Sequence, residues 1–190
     1  MRAILIGSAL VALCFGIPTA SSAAEVPTEV FGVTLGAPLS LPACPADTSG
    51  ISLNFRTGEI TSVSFPECRA TEGVYFASGQ KPRWVRYPFF DVDTTSGVVD
   101  EVTILTRGPE AQDLVLLEIT EKFGPPTTKS IEHEQNGFGA KFDVINAVWK
   151  RADGVIDFIS IVDPETGVIT IKSKAFLARE QQEINAGAHL

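Results

Sequence analysis

Acidic side chains gather around one predicted turn of the chain, at residues 94–97. Carboxylates stand on both sides of this turn, at Asp91, Asp93, Asp100 and Glu101. A hairpin with a four-residue loop would place Asp91 opposite Asp100, an unfavourable pair of like charges unless a cation or water lies between them. The spacing does not match the loop of an EF-hand. We therefore interpret the segment as a solvated hairpin tip without a metal, with a calcium site at Asp91, Asp93 and Asp100 as the alternative.

A second group of residues combines cations with aromatic rings in a chain that is otherwise acidic. This basic-aromatic strip consists of Lys81, Arg83, Trp84, Arg86 and Tyr87. Arg, Trp and Tyr are enriched in binding hot spots, and a cationic aromatic surface suits an anionic glycan or an acidic loop of a partner. The strip is therefore a candidate partner-binding site. In the alternative interpretation, Trp84 and Tyr87 pack in the core and the basic side chains lie over it.

Motifs that would identify a catalytic centre are missing from the sequence. The chain has two histidines, His133 and His189, and it lacks the Gly-x-Ser-x-Gly, phosphate-loop and His-Glu-x-x-His patterns. Ser78 and Lys81 match the Ser-x-x-Lys pattern of penicillin-binding enzymes, but the companion motifs of those enzymes are absent. We therefore predict a protein without catalytic residues or a cofactor. A hydrolase that uses an unidentified pair of carboxylates stays open as the alternative.

The run Glu132-His133-Glu134 offers residue types that ligate metals. Neighbouring residues of a strand point to opposite faces, so on a strand the two Glu side chains would point away from His133. The sequence predicts a solvated strand edge here.

The beginning of the chain is typical of a secretory signal peptide. Met1 and Arg2 precede an almost wholly apolar run at residues 3–17, and small residues follow up to Ala24. The run is shorter than the roughly 20 residues that span a bilayer, and no later segment is long and apolar enough to do so. We expect residues 1–24 to be removed and residues 25–190 to form a single domain in the periplasm or outside the cell.

Two cysteines, Cys44 and Cys68, stay in the predicted mature chain, an even number in an oxidising compartment. We predict a disulfide bond between them. Closing a loop of this length stabilises the folded chain by about 3.5 kcal/mol in the loop-entropy account. Alternating apolar residues between the cysteines predict a hairpin in which Leu53 lies opposite Val63.

The charge balance narrows the class of partner. The chain of 190 residues carries 15 Lys and Arg against 23 Asp and Glu, a net charge of −8 with a pI near 4.8. Proteins that bind nucleic acids usually present a basic face. The sequence therefore argues against a nucleic-acid partner.

One internal helix is predicted from apolar spacing. Apolar residues recur every three or four positions between Ala111 and Phe123, Pro109 suits a first turn and Gly124 a C-terminal cap. A second helix is predicted near the end of the chain, at residues 175–185.

Strands surround the predicted helix. Asp153-Gly154 is a strong signal for a two-residue hairpin loop and would place Trp149 opposite Phe158. The strand at residues 155–162 is apolar on both faces, which predicts a central strand covered on both sides. The fold class is therefore α+β: a mostly antiparallel sheet with one packed helix and a possible C-terminal helix.

The order of strands, a helix that ends in Glu121-Lys122-Phe123-Gly124-Pro125-Pro126, and further strands resembles small exported bacterial α+β proteins. It is also similar to the two-layer modules of β-lactamase-inhibitor-like and outer-membrane-assembly proteins. The resemblance covers residues 87–173 and leaves out the cysteine-containing region. It implies a binding or inhibitory module rather than an enzyme and carries over no functional residue.

These observations predict an exported, non-catalytic binding protein of the bacterial envelope. Its net negative charge would steer association with a cationic protein, so an inhibitor or immunity protein against a basic cell-wall hydrolase is the specific form we expect. The alternatives are a small periplasmic hydrolase with a carboxylate pair and a structural component of the envelope.

Overall fold

The computed structural model describes residues 27–44, 52–54, 59–61, 67–70, 73–77, 79–135 and 137–187. The predicted signal peptide, residues 1–24, lies outside the described residues, as do Ser78, Val63 and His189.

Short strands precede the main sheet. Two-residue strands β1 (Glu29–Val30) and β2 (Val33–Thr34) pair as a tight hairpin, and β3 (Ser52–Asn54) pairs with β4 (Glu59–Thr61). The expected register of the second hairpin is wrong, because Leu53 lies opposite Ile60 and not opposite Val63.

Eight further strands form one antiparallel sheet. In chain order they are β5 (Cys68–Ala70), β6 (Gly73–Tyr75), β7 (Phe89–Thr95), β8 (Val98–Thr106), β9 (Thr128–Gln135), β10 (Lys141–Lys150), β11 (Gly154–Asp163) and β12 (Thr166–Ser173). Their order in the sheet is β5-β6-β7-β8-β12-β11-β10-β9. The chain therefore runs from one edge to the centre, crosses to the opposite edge, and returns strand by strand to pair β12 with β8.

A helix makes that crossing. A single 3₁₀ turn (Gly108–Glu110) leads into α1 (Gln112–Phe123), which ends where Gly124 adopts a φ of +83° and donates its N–H to the carbonyl of Thr120 at 2.9 Å. A positive φ costs glycine little, so the C-terminal boundary predicted at Gly124 is confirmed. The antiparallel sheet with two helices confirms the α+β class.

The core lies on one face of the sheet, called here the core face. Paired residues of neighbouring strands share a face, so the register of β8, β12, β11 and β10 brings their buried residues together. Val115 and Ile119 of α1 pack into the same cluster, as do Val30 and Val33 near the N-terminus. The sheet residues of this cluster include Val102, Ile104, Ile169, Ile171, Ile156, Phe158, Ala147 and Trp149.

The turn between β10 and β11 differs from the expected one. Trp149 lies opposite Ile156 and not opposite Phe158, because the two turn residues are Ala152 and Asp153. Arg151 donates its N–H to the carbonyl of Gly154 at 2.9 Å, so Gly154 already belongs to the strand.

The C-terminal helix is α2 (Lys174–Gly187), which contains the predicted range 175–185. Ser173 caps it, since the Ser173 hydroxyl accepts a hydrogen bond of 3.0 Å from the N–H of Phe176. None of the residues of α2 is fully buried.

Candidate binding site

The basic-aromatic strip does not form one continuous surface. Trp84 is buried, with 5% of its surface exposed, and belongs to the core cluster. Its indole N–H donates a hydrogen bond of 2.5 Å to the carboxylate of Glu118 on α1. Trp84 therefore fixes the helix to the sheet region and offers no contact surface to a partner.

Two other members of the strip make contacts within the protein. The Arg86 guanidinium bonds both the carboxylate and the carbonyl oxygen of Glu165, at 2.8 and 2.7 Å, and the Glu165 bond raises the pKa of Arg86. Tyr87 is half-buried and stacks on Phe89, with ring centroids 5.8 Å apart.

The ammonium group of Lys81 donates to the carbonyl of Val85 at 2.8 Å, whereas the side chain of Arg83 is exposed. Arg83 is thus the member of the strip that is placed to meet another molecule.

The acidic hairpin has a different register from the one predicted. Asp91 lies opposite Thr103 and not opposite Asp100, and the like-charge pair is instead Asp93 with Glu101. The register shifts between Asp93 and Thr94, a bulge that an evenly paired four-residue loop does not allow for.

Asp100 is separated from the other two candidate metal ligands. Asp100 is 4% exposed, and its carboxylate accepts hydrogen bonds from Ser173 and from Arg179 of α2. Burial raises the pKa of Asp91, and the charge of Asp93 raises it further. Within the described ranges, no group of three or more His, Cys, Asp and Glu side chains is arranged to hold a metal ion.

The Glu132-His133-Glu134 run lies on β9, at the edge of the sheet. His133 faces Asp143 of β10, with Nδ1 and the carboxylate oxygen 2.6 Å apart, while Glu132 and Glu134 lie opposite Val144 and Phe142. The two Glu residues therefore share the face of the sheet that is opposite to the core face, called here the outer face.

An apolar groove of about 630 Å³ crosses the outer face beside β9. Val144 is buried at its floor, and Ile159 and Val162 expose 39% and 52% of their surfaces. The pairing of β11 with β12 shifts between Ile159 and Asp163, so that both Ile161 and Val162 line the groove. The outer-face groove is lined by Pro109, Glu132, Glu134, Ala140, Lys141, Phe142, Val144, Asn146, Ile159, Ile161, Val162, Asp163 and Pro164.

The rim of the outer-face groove is mostly acidic. Its charged lining residues are the acids Glu132, Glu134 and Asp163 and one cation, Lys141, and all four are exposed. The amide of Asn146 donates to the Glu132 carboxylate at 2.8 Å and so orients that carboxylate beside the apolar floor. An apolar floor with a charged rim is the arrangement that a protein-binding site shows.

Carboxyl groups with a raised pKa lie away from this groove. Burial raises the pKa of Glu67, of Asp91 and of Asp157, and the charge of Lys172 opposes the effect at Asp157. None of these three residues lines the outer-face groove.

The groove is related to a feature visible in the sequence, the strand at residues 155–162 that is apolar on both faces. The strand at residues 155–162 is central, as predicted, but the expectation that both its faces are covered is wrong at the Ile159 end. An apolar strand face that is not fully covered leaves exposed apolar surface.

The sulfur atoms of Cys44 and Cys68 lie 2.10 Å apart, at disulfide-bonding distance, as predicted from the even cysteine count. No helix in the described part of the chain is long and apolar enough to cross a membrane.

Comparison of the chain with protein-family models, curated proteins and solved structures found no match. The resemblance to two-layer exported modules stays a prediction.

Proposed function

We propose that this chain is an exported binding protein of the cell envelope, and that it holds a cationic protein partner on its outer-face groove. The observation that supports the proposal is the apolar floor of the groove, where Ile159 and Val162 stay partly exposed beside acidic residues. Exposed apolar patches with a polar rim are typical of interaction sites.

Charge supports a cationic partner. Glu132, Glu134 and Asp163 stand at the rim, and the whole chain carries a net charge of −8. Complementary charge raises the rate at which partners meet and favours the correct orientation on arrival. The apolar floor then provides the binding free energy, because side chains buried there leave water.

The specific form of the proposal is an inhibitor or immunity protein against a basic cell-wall hydrolase. Export places the chain where such enzymes act, and a cysteine pair at disulfide distance is compatible with that compartment. A signal peptide at residues 1–24 belongs to the proposal.

The test uses purified residues 25–190 and three probes: a c-type lysozyme, a g-type lysozyme and a basic peptidoglycan amidase. Calorimetry at low and at physiological ionic strength measures the dissociation constant, and a cell-wall assay measures inhibition. We expect one probe to bind and to be inhibited, with weaker binding at higher salt. Absence of binding to all three overturns the hydrolase-inhibitor form.

Two lysine substitutions locate the binding surface. Ile159→Lys places a charge on the groove floor, and we expect at least a tenfold loss of affinity, about 1.4 kcal/mol. Ile184→Lys makes the same chemical change on α2, where Ile184 is also exposed, and it should leave affinity unchanged. Equal affinities for the two variants would place the contact elsewhere.

The basic-aromatic strip provides the second surface to examine. Arg83→Ala removes its exposed cation, and a partner on the outer-face groove should bind this variant as it binds the wild type. If Arg83→Ala loses affinity and Ile159→Lys does not, the basic-aromatic strip is favoured as the binding surface.

Each of the two alternative functions, a structural envelope component and a hydrolase, predicts a different measurement. A structural envelope component would self-associate, which sedimentation velocity of the same sample detects. A hydrolase with a carboxylate pair would release product from peptidoglycan without any probe enzyme present.

A further inference from the structure

In the described part of the chain, no strand pairs with the outer side of the edge strand β9. It is the last strand of the eight-stranded sheet, and all eight of its residues pair with β10 on one side only. Each of its side chains is exposed. An edge strand directs half of its backbone N–H and C=O groups outward, where another strand can bond to them.

The opposite edge is closed. There β5 has only three residues, and Ala43 forms a parallel bridge with Arg69. The N–H of Cys44 donates to the Arg69 carbonyl at 2.9 Å, and the N–H of Arg69 donates to the Pro42 carbonyl at 2.8 Å. The Cys44–Cys68 pair holds this covering segment in place. Among the described strands, β9 is therefore the edge of the sheet that can pair with a strand of a partner.

Side chains of β9 on the outer face are suited to a cationic strand. Thr128, Ser130, Glu132 and Glu134 share that face, and none of them is a cation. Glu132 and Glu134 are two residues apart, and side chains on one face of any strand recur at every second residue. A strand added beside β9 would therefore place alternate residues next to these two carboxylates.

The other face of β9 offers one apolar contact. Ile131 lies between Lys129 and His133 on the core face of the strand and is 50% exposed. An apolar residue of an added strand would cover it.

We propose that β9 binds a β-strand of the partner by strand addition, and that this strand carries Lys or Arg at alternate positions facing Glu132 and Glu134. This inference rests on the proposed function and names the segment of the cationic partner that the site recognises. The added strand borders the outer-face groove, because Glu132 and Glu134 belong to both. Residues beyond the added strand can then enter the groove.

A second copy of this chain is a poorer occupant than a cationic strand. It would bring another net charge of −8, and its own β9 would present two more Glu residues on the outer face. Like charges brought together at an interface are unfavourable.

Three synthetic eight-residue peptides of lysine and valine test the proposal. The first alternates the two residues, the second has the same composition with its lysines consecutive, and the third alternates but is methylated on the backbone nitrogens of one edge. Fluorescence anisotropy measures their affinities for residues 25–190. We expect the first peptide to bind about tenfold more tightly than each of the others. Equal affinities for all three would overturn strand addition.

A pair of double variants tests the role of charge. Glu132→Gln with Glu134→Gln should weaken the alternating peptide about tenfold, because two cross-strand ion pairs are lost. Glu121→Gln with Glu183→Gln changes the net charge equally at exposed helix positions and should change affinity less than twofold. Equal losses in the two double variants would show that only net charge matters and would overturn the proposal.

The peptide experiment, which tests strand addition, and the hydrolase experiment, which tests the proposed function, can fail independently of each other. If a hydrolase binds in an Ile159-dependent manner while the three peptides bind equally, strand addition fails and the groove proposal stands. If the alternating peptide binds selectively and no hydrolase binds, strand addition at β9 is supported and the hydrolase-inhibitor form fails. A dimer in sedimentation that becomes tighter in the Glu132 and Glu134 double variant would assign β9 to a second copy and overturn the inference.

Discussion

Arg179 of α2 donates a hydrogen bond of 2.5 Å to the buried carboxylate of Asp100 on β8. Ser173, which caps α2, donates to the other carboxylate oxygen at 3.1 Å. Asp100 therefore connects the beginning and the second turn of the helix to the centre of the sheet. Because α2 has no fully buried residue, this carboxylate is a main attachment of the helix.

Replacing Asp100 by Asn should destabilise the protein by about 2 kcal/mol at neutral pH, since charged hydrogen bonds to Arg179 and Ser173 are weakened. Urea denaturation of residues 25–190 measures the free energy of unfolding. Glu180→Gln is the matched control, because Glu180 makes a more exposed ion pair of 2.7 Å from α2 to Lys172. We expect the control to lose less than about 1 kcal/mol. Equal losses would deny Asp100 this role.

The stabilisation by Asp100 should also depend on pH. The hydrogen bond from Thr95 lowers the pKa of Asp100 from its ordinary 3.8, and the bonds from Arg179 and Ser173 lower it further against burial. A carboxyl with a lowered pKa stabilises the folded state above the ordinary value and loses this contribution as the pH falls through the folded value.

The free-energy difference between wild type and Asp100→Asn should therefore be constant above pH 5 and shrink below about pH 4. The raised pKa values of Glu67, Asp91 and Asp157 have the opposite sign, but they are common to both proteins and cancel in the difference. A difference that stays constant down to pH 2 would contradict the prediction.

Removal of the Cys44–Cys68 link should destabilise the chain by about 3.5 kcal/mol, because a loop closed over a separation of 24 residues constrains the unfolded state. Cys44→Ser with Cys68→Ser tests this by urea denaturation. The wild type measured with a reductant serves as the comparison and should show the same loss. An unchanged unfolding midpoint in both would mean that the two cysteines are not bonded in the folded protein.

Local sequence signals predicted the kinds of elements well, but not their registers. The helix that ends at Gly124 depends on spacing and capping within a dozen residues, and these are visible in the sequence. The turn near Asp153 depends on distant partners. The Asp153 carboxylate accepts hydrogen bonds from the N–H and hydroxyl of Thr28, 125 residues earlier, at 2.5 and 2.9 Å. No local pattern contains such a contact.

Local sequence signals also failed to predict which residues of the candidate site are buried. A Trp beside Arg residues has the composition of a binding surface, yet Trp84 is fixed by Glu118, 34 residues later, and is buried. The outer-face groove lies where the outer faces of β10 and β11 stay partly exposed beside β9. The helix α1 carries the chain from β8 to β9, and the pairing of β8 with β12 is not readable from either strand alone.

The strands β11 and β12 approach each other closely at Gly154. A Cβ atom at Gly154 would overlap the backbone carbonyl oxygen of Lys172 and lie 2.8 Å from a methyl group of Leu35. The Lys172 carbonyl cannot move without separating two central strands, so Gly154→Ala should destabilise the protein by about 2 to 3 kcal/mol. Gly137→Ala is the control, because a Cβ there has no neighbour within 4 Å, and it should change stability by less than about 0.5 kcal/mol. Urea denaturation compares both with the wild type, and equal midpoints for the two variants would show that Gly154 occupies the turn and not the strand. That result would restore the register with Trp149 opposite Phe158.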